Sequence, residues 1–67
     1  MYNNKFLLNR IIEIQDIVLE HKNRGYTQVW VYRRVIKPRY HISESTFKGY
    51  MSRNAKGELK QLTIDNL

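Results

Sequence analysis

The apolar residues in the first third of the chain recur with the spacing of an α-helix. Leu7, Ile11, Ile14 and Val18 follow one another at intervals of four, three and four residues, which places them on one helix face. Three further apolar residues widen this stripe: Leu8, Ile12 and Leu19. We therefore predict a helix over residues 4–23 that buries much of its circumference. Asn3 or Asn4 can cap its N-terminus, and Gly25 suits the left-handed position after its C-terminus.

The next apolar stretch, residues 27–36, fits two kinds of secondary structure. Its β-branched and aromatic residues favour a strand by intrinsic propensity. Its spacing favours a helix, because two pairs lie four residues apart, Val31 with Val35 and Tyr32 with Ile36. A strand would also need a partner, and the chain offers no clear hairpin turn. We predict a helix over residues 28–37, capped by Thr27 and stopped by Pro38 at or before Lys37.

A third helix is predicted over residues 44–53, after a turn at about residues 38–42. Ser43 is a suitable N-cap, and Phe47, Tyr50 and Met51 share one face at spacings of three and four residues. The tail can form a short helix at 56–62 or a strand at 61–64, within a possible element spanning 56–64. The pattern as a whole predicts an all-α protein, a compact three- to four-helix bundle in a single domain over residues 1–67.

Composition limits what such a domain can do. The chain has 67 residues and no cysteine, so it can build one small core with neither a disulfide framework nor a thiolate metal cage. His21 and His41 lack the companions of a metal site, and neither a phosphate-binding glycine loop nor a nucleophile elbow is present. We expect a protein of the cytoplasm that is not an enzyme. It should have no cofactor, no metal, no small-molecule substrate and no membrane partner.

Charge gives the first indication of a partner. Twelve Lys and Arg residues against six Asp and Glu residues give a net charge of +6. Most of the excess lies in residues 33–67, where eight basic side chains face three acidic ones. A basic half on a small domain is typical of a protein that binds a polyanion such as nucleic acid.

The segment around the predicted third helix sharpens this expectation. Ile42, Ser43, Thr46, Phe47 and Tyr50 occupy, in order, the places of an apolar turn residue, a serine cap, a threonine and two apolar anchors. This pattern resembles the second half of the helix-turn-helix motif of small bacterial and phage transcriptional regulators and of resolvase-type DNA-binding domains.

One part of the segment departs from that family. The family turn usually has glycine near its start and a small residue one helical turn earlier. This chain has His41 and Lys37 there, with Pro38 between them. We therefore expect a turn that is longer than, or shaped differently from, the tight turn of the family.

The resemblance implies sequence-specific binding of duplex DNA by a transcriptional regulator or accessory factor. The third helix would be the recognition helix, whose outward side chains contact base edges. The expected base-contacting residues are Glu44, Ser45, Lys48 and Ser52. Thr27 and Gln28 are expected to offer backbone amides to a phosphate at the start of the second helix. The other expected phosphate-binding residues are Arg33, Arg34, Lys37, Arg39, Arg53 and Lys56. Gly49 would then allow the sugar-phosphate backbone to approach closely. The small footprint of one such module on DNA makes a homodimer plausible.

Two other functions fit the same sequence. The chain could be a protein-interaction module, such as an inhibitor or an antitoxin-like partner, that uses its apolar tail. It could also bind RNA or single-stranded DNA by stacking bases on its aromatic residues. We expect instead that these aromatic residues form the core, because rings at helical spacing in a tiny domain usually pack inside it. The residues concerned are Trp30, Tyr32, Tyr40 and Tyr50.

Overall fold

The computed structural model describes residues 5–65, which form four helices numbered here α1 to α4. Helix α1 is Lys5–Asn23, α3 is Glu44–Ser52 and α4 is Ala55–Asp65. Helix α2 runs through three consecutive segments: Gln28–Val31, a π-helical turn at Tyr32–Ile36, and Lys37–Tyr40. Residues 5–65 contain no strand, so the all-α prediction is confirmed. The strand alternatives for residues 27–36 and 61–64 are wrong, and the proposed caps Asn3 and Asn4 lie outside the described residues.

Helix α1 is the central element because both core clusters form on it. Its C-terminal half contributes Ile14 and Val18, which pack with Val31, Tyr32 and Ile36 of α2 and with Phe47 of α3. Its N-terminal half contributes Leu8 and Ile11, which pack with Ala55 at the start of α4. The predicted stripe is confirmed at Ile11, Ile14 and Val18. Leu19, however, is 57% exposed, so α1 buries less of its circumference than expected.

The connection between α1 and α2 is built from two local capping devices. The amide of Gly25 donates to the carbonyl of Lys22, and that of Tyr26 donates to the carbonyl of His21, both at 3.0 Å. Together with the φ of +100° at Gly25, these bonds define a Schellman motif. Thr27 then caps α2 as predicted, because its hydroxyl accepts the amide hydrogen of Trp30 at 3.1 Å.

Pro38 does not end α2, contrary to the sequence-based prediction. Proline lacks an amide hydrogen, and its ring presses on the carbonyl four residues earlier, here that of Arg34. The π-helical turn widens the backbone immediately before the proline, where the amide of Lys37 donates to the carbonyl of Tyr32, five residues back. Because this turn makes room for the ring, α2 continues to Tyr40.

The turn between α2 and α3 is short, so of the two expected alternatives, a longer turn or a differently shaped one, the longer turn is wrong. It consists of residues 41–43. His41 takes the left-handed conformation, with a φ of 55°, that reverses the chain after a helix. Ser43 caps α3 as predicted, and the hydroxyl of Tyr32 donates to the carbonyl of Ile42 at 2.8 Å.

The other end of α3 is held by a side chain of α1. The amide nitrogen of Gln15 donates to two backbone carbonyls, that of Tyr50 at 2.7 Å and that of Arg53 at 2.8 Å. These carbonyls belong to the end of α3, where few backbone donors remain. That of Tyr50 also accepts the amide hydrogen of Arg53, at the longer distance of 3.3 Å. Gln15, the turn at residues 41–43 and the buried ring of Phe47 together set the position of α3 on α1.

Candidate nucleic-acid interface

Helix α3 has one side in the core and the opposite side in solvent. Phe47 is buried, and Tyr50 and Met51 are half-buried against the first core cluster, as the spacing predicts. The solvent side carries five exposed residues: Glu44, Ser45, Lys48, Gly49 and Ser52. All four predicted base-contacting residues therefore share one exposed face.

The polar groups on this face interact weakly with one another. Lys48 forms an ion pair with Glu44 at 3.4 Å, with the two side chains 68% and 57% exposed. A pair this exposed, one helical turn apart, stabilises a helix by only about 0.3–0.5 kcal/mol. Ser52 donates its hydroxyl hydrogen to the carbonyl of Gly49, whereas Ser45 makes no hydrogen bond within the described chain. A ligand could thus displace these contacts at little cost.

An open cleft separates the C-terminal half of α2 from the start of α3. It is lined by Arg33 and Lys37 on α2, by the turn at residues 41–43, and by Glu44 on α3. A narrower groove, lined by Gln28, Val29 and Lys48, shares Tyr32 and Glu44 with it. The exposed face of α3 and one side of α2 therefore form a continuous surface, which we call the α2–α3 face.

The predicted phosphate-binding cations divide into two groups. Three of them form ion pairs that link separate helices or neighbouring segments: Arg39 with Glu13 at 3.2 Å, Arg53 with Glu58 at 2.7 Å, and Lys56 with Asp16 at 3.1 Å. The other three, Arg33, Arg34 and Lys37, are exposed and make no ion pair with any residue of 5–65. Two of these unpaired cations, Arg33 and Lys37, line the cleft.

The pair between Arg53 and Glu58 is the best formed of these contacts. Nε and one terminal nitrogen of Arg53 donate to the two carboxylate oxygens of Glu58, at 2.7 and 2.9 Å. These hydrogen bonds raise the pKa of Arg53 and lower the pKa of Glu58. Arg53 thus connects the end of α3 to α4, a structural role that the sequence did not indicate.

The remaining two predicted phosphate-binding residues lie at the start of α2. The hydroxyl of Thr27 is occupied by its capping bond to the amide of Trp30. The side chain of Gln28 is half-buried and lines the groove beside Lys48. Gln28 therefore belongs to the α2–α3 face, whereas the side chain of Thr27 serves the helix end.

An aromatic cluster outside the core was not predicted. The rings of Tyr26 and Trp30 are stacked, with centroids 4.3 Å apart and planes inclined by 21°. The His21 ring lies near both, at 5.9 Å and 6.4 Å. The expectation that Trp30 belongs to the core is wrong, because Trp30 is 38% exposed, whereas Tyr32, Tyr40 and Tyr50 do lie in the core or against it. The four-residue spacing of Tyr26 and Trp30 is the sequence feature from which their contact could have been predicted.

Comparison with known proteins adds no family to this description. Searches against protein families, curated protein sequences and solved structures found no match. Among the side chains of residues 5–62, no three His, Asp or Glu come together in a way that could hold a metal ion. None of the described helices is long and apolar enough to cross a membrane.

Proposed function

We propose that this protein binds duplex DNA with its α2–α3 face, as a small helix-turn-helix regulator or accessory factor. The observation that carries the proposal is the position of Arg33 and Lys37. These cations have no ion-pair partner in residues 5–65, and they share a cleft with the start of α3. Unpaired cations beside an exposed helix suit the contacts that proteins make with the DNA backbone.

The form of the helix pair supports the same function. A helix-turn-helix motif joins its two helices by a turn of three or four residues that often contains glycine. The turn here has three residues, and His41 adopts the left-handed conformation that glycine would take most readily. With the apolar side of α3 in the core, its polar side is presented outward, as base contacts in the major groove require.

The proposed roles separate by residue type. On α3, Ser45 and Lys48 contact base edges, where lysine can donate to guanine and serine to several bases. Glu44 can accept from cytosine once its pair with Lys48 is broken. Arg33 and Lys37 contact phosphates, which would set the position of α3 and the salt dependence of binding but would not select sequence.

A salt titration of binding to duplex DNA tests the proposal. The logarithm of the binding constant should fall linearly with the logarithm of salt concentration, with a slope of about −0.9 for each phosphate neutralised. The variant Arg33→Ala should make this slope shallower by about 0.9 and weaken binding to all sequences alike. No detectable binding to duplex DNA at about 50 mM salt would refute the proposal.

The chain provides a matched control for that variant. Lys56→Ala removes the same charge, but Lys56 is paired with Asp16 and lies outside the cleft lining. We expect its salt slope to stay close to that of the wild type. If the Arg33 and Lys56 variants changed the slope equally, net charge rather than the α2–α3 face would govern binding. Ser45→Ala and Lys48→Ala should instead alter the preference among sequences, as measured by selection from a random duplex pool.

A further inference from the structure

We propose that Tyr26 and Trp30 form a second nucleic-acid site, which binds an unpaired base of single-stranded DNA or RNA by stacking. The site is distinct from the α2–α3 face, because none of its rings lines the cleft or the groove between α2 and α3. It therefore does not depend on the proposed binding of duplex DNA. The inference rests on the geometry of the ring pair, on its exposure and on the charges around it.

The two rings are held in place before any ligand arrives. Tyr26 is the residue whose amide closes the Schellman motif at the end of α1. Trp30 is the residue whose amide is bound by the Thr27 cap at the start of α2. Each ring thus extends from a backbone position fixed by a hydrogen bond. A preformed, nearly parallel pair loses little side-chain entropy when a third flat ring is added to the stack.

The cluster is exposed, although a chain of this size has few large apolar side chains and needs most of them for its core. Tyr26 is 44% exposed and Trp30 is 38% exposed, and neither belongs to either core cluster. A tryptophan or tyrosine ring that is not used in the core remains available for a ligand that is itself aromatic. Nucleobases meet this requirement whatever their sequence, because every base has a π-face.

The charge around the cluster suits a polyanion. Lys22 directly follows His21 on α1, and Arg34 follows Trp30 by about one turn on α2. Both cations are exposed and make no ion pair within residues 5–65. The neighbouring acid, Glu20, is already paired with Arg24 at 2.7 Å. Proteins bind single strands with cations on the phosphates and aromatic rings on the bases, and here both kinds of residue are close neighbours along α1 and α2.

The protein contains its own reporter for this site, because Trp30 is its only tryptophan. We would titrate the protein with an oligodeoxyuridylate of about ten nucleotides, and with an oligouridylate of equal length, and record the emission of Trp30. Stacking should quench this emission in step with binding measured by the anisotropy of a labelled strand. A comparison of the two strands distinguishes DNA from RNA as the preferred source of the base.

The variant Tyr26→Ser removes half of the platform and keeps the reporter. We expect it to weaken binding of the single strand by roughly 5- to 150-fold, the range found when a stacking aromatic residue is truncated. The matched control is Phe6→Ser, which removes another exposed aromatic residue. Phe6 precedes His21 by 15 residues on α1, about 22 Å along the helix axis, and the control should bind like the wild type.

Three results would overturn the proposal. The first is the absence of any binding to either strand, and the second is binding that leaves the Trp30 emission unchanged. The third is emission that changes with protein concentration but not with added strand, which would identify the cluster as a contact between copies of the chain. Lys48→Ala should leave binding of the single strand intact. A failure of the proposed single-strand site can therefore be distinguished from a failure of the proposed duplex-binding face.

Discussion

The bond between Gln15 and the end of α3 provides a direct test of how this helix is held. In the variant Gln15→Leu, the carbonyls of Tyr50 and Arg53 lose the two hydrogen bonds that Gln15 donates at 2.7 and 2.8 Å. Each such bond contributes about 0.5–1.5 kcal/mol net, so the free energy of unfolding should fall by about 1–3 kcal/mol. That loss is large for a domain of this length, whose total stability is expected to be about 3–10 kcal/mol.

The variant Gln15→Glu should be worse at neutral pH. An ionised carboxylate cannot donate, and it would face two carbonyls at the negative end of the α3 dipole. Its charged form is disfavoured in the folded protein, so its pKa there should exceed the value of about 4.3 for unfolded glutamate. The stability deficit should therefore shrink as the pH falls, because protonation restores one donor, and should grow as the pH rises through the folded-state pKa.

Urea denaturation followed by circular dichroism measures both effects. Asn9→Asp is the control, because it makes the same exchange of amide for carboxylate on an exposed residue of α1 that has no hydrogen bond within residues 5–65. Its stability should stay within about 0.5 kcal/mol of the wild type. The reasoning fails if Gln15→Leu is as stable as this control, or if Gln15→Glu becomes less stable as the pH is lowered from neutral.

Three further predictions concern single side chains. Gly49→Ala should raise the free energy of unfolding by about 0.4–1 kcal/mol, because an added Cβ meets no atom within 4 Å. Gly25→Ala should lower the free energy of unfolding, because the φ of +100° at this position disfavours a residue with a Cβ. A calorimetric melting temperature that falls in both variants would contradict this pair of predictions. Tyr32→Phe should cost about 0.5–1.5 kcal/mol in urea denaturation through loss of its bond to the turn carbonyl, and an unchanged midpoint would count against that bond. Glu58 should titrate below 4.5 when its side-chain carbon is followed by NMR, because Arg53 binds its ionised form. Its contribution to stability should be present above pH 4.5 and be lost as the pH falls through the lowered pKa, and a midpoint at or above 4.5 would refute this.

The features predicted correctly from the sequence are those that depend on near neighbours. Thr27 and Ser43 cap their helices because each hydroxyl reaches an amide three residues ahead. Gly25 takes the left-handed conformation that its place after a helix requires. Phe47 faces the core because its spacing to the other apolar residues of α3 defines a single face.

The features that were missed depend on contacts between distant parts of the chain or on a local exception to a rule. The ion pair of Arg39 with Glu13, which lies 26 residues away, was not predicted. Such a pairing cannot be found from helical spacing alone. Pro38 was expected to end α2, since the π-helical turn that accommodates it has no simple sequence signature. Trp30 was expected in the core, but the apolar stripe that begins at Val31 already fills the side of α2 that faces the core.

The π-helical turn in α2 has a consequence for how this protein should be aligned with others. Such a turn is equivalent to one residue inserted into an α-helix, which rotates everything after it by about 100°. A homologue with a regular α2 would be one residue shorter between positions 32 and 36 and would carry the gap inside a helix instead of in a loop. The two halves of its α2 would align with this chain only when each half is aligned separately, with an offset of one residue between them. Pro38 lies in the second of these halves, just after the π-helical turn.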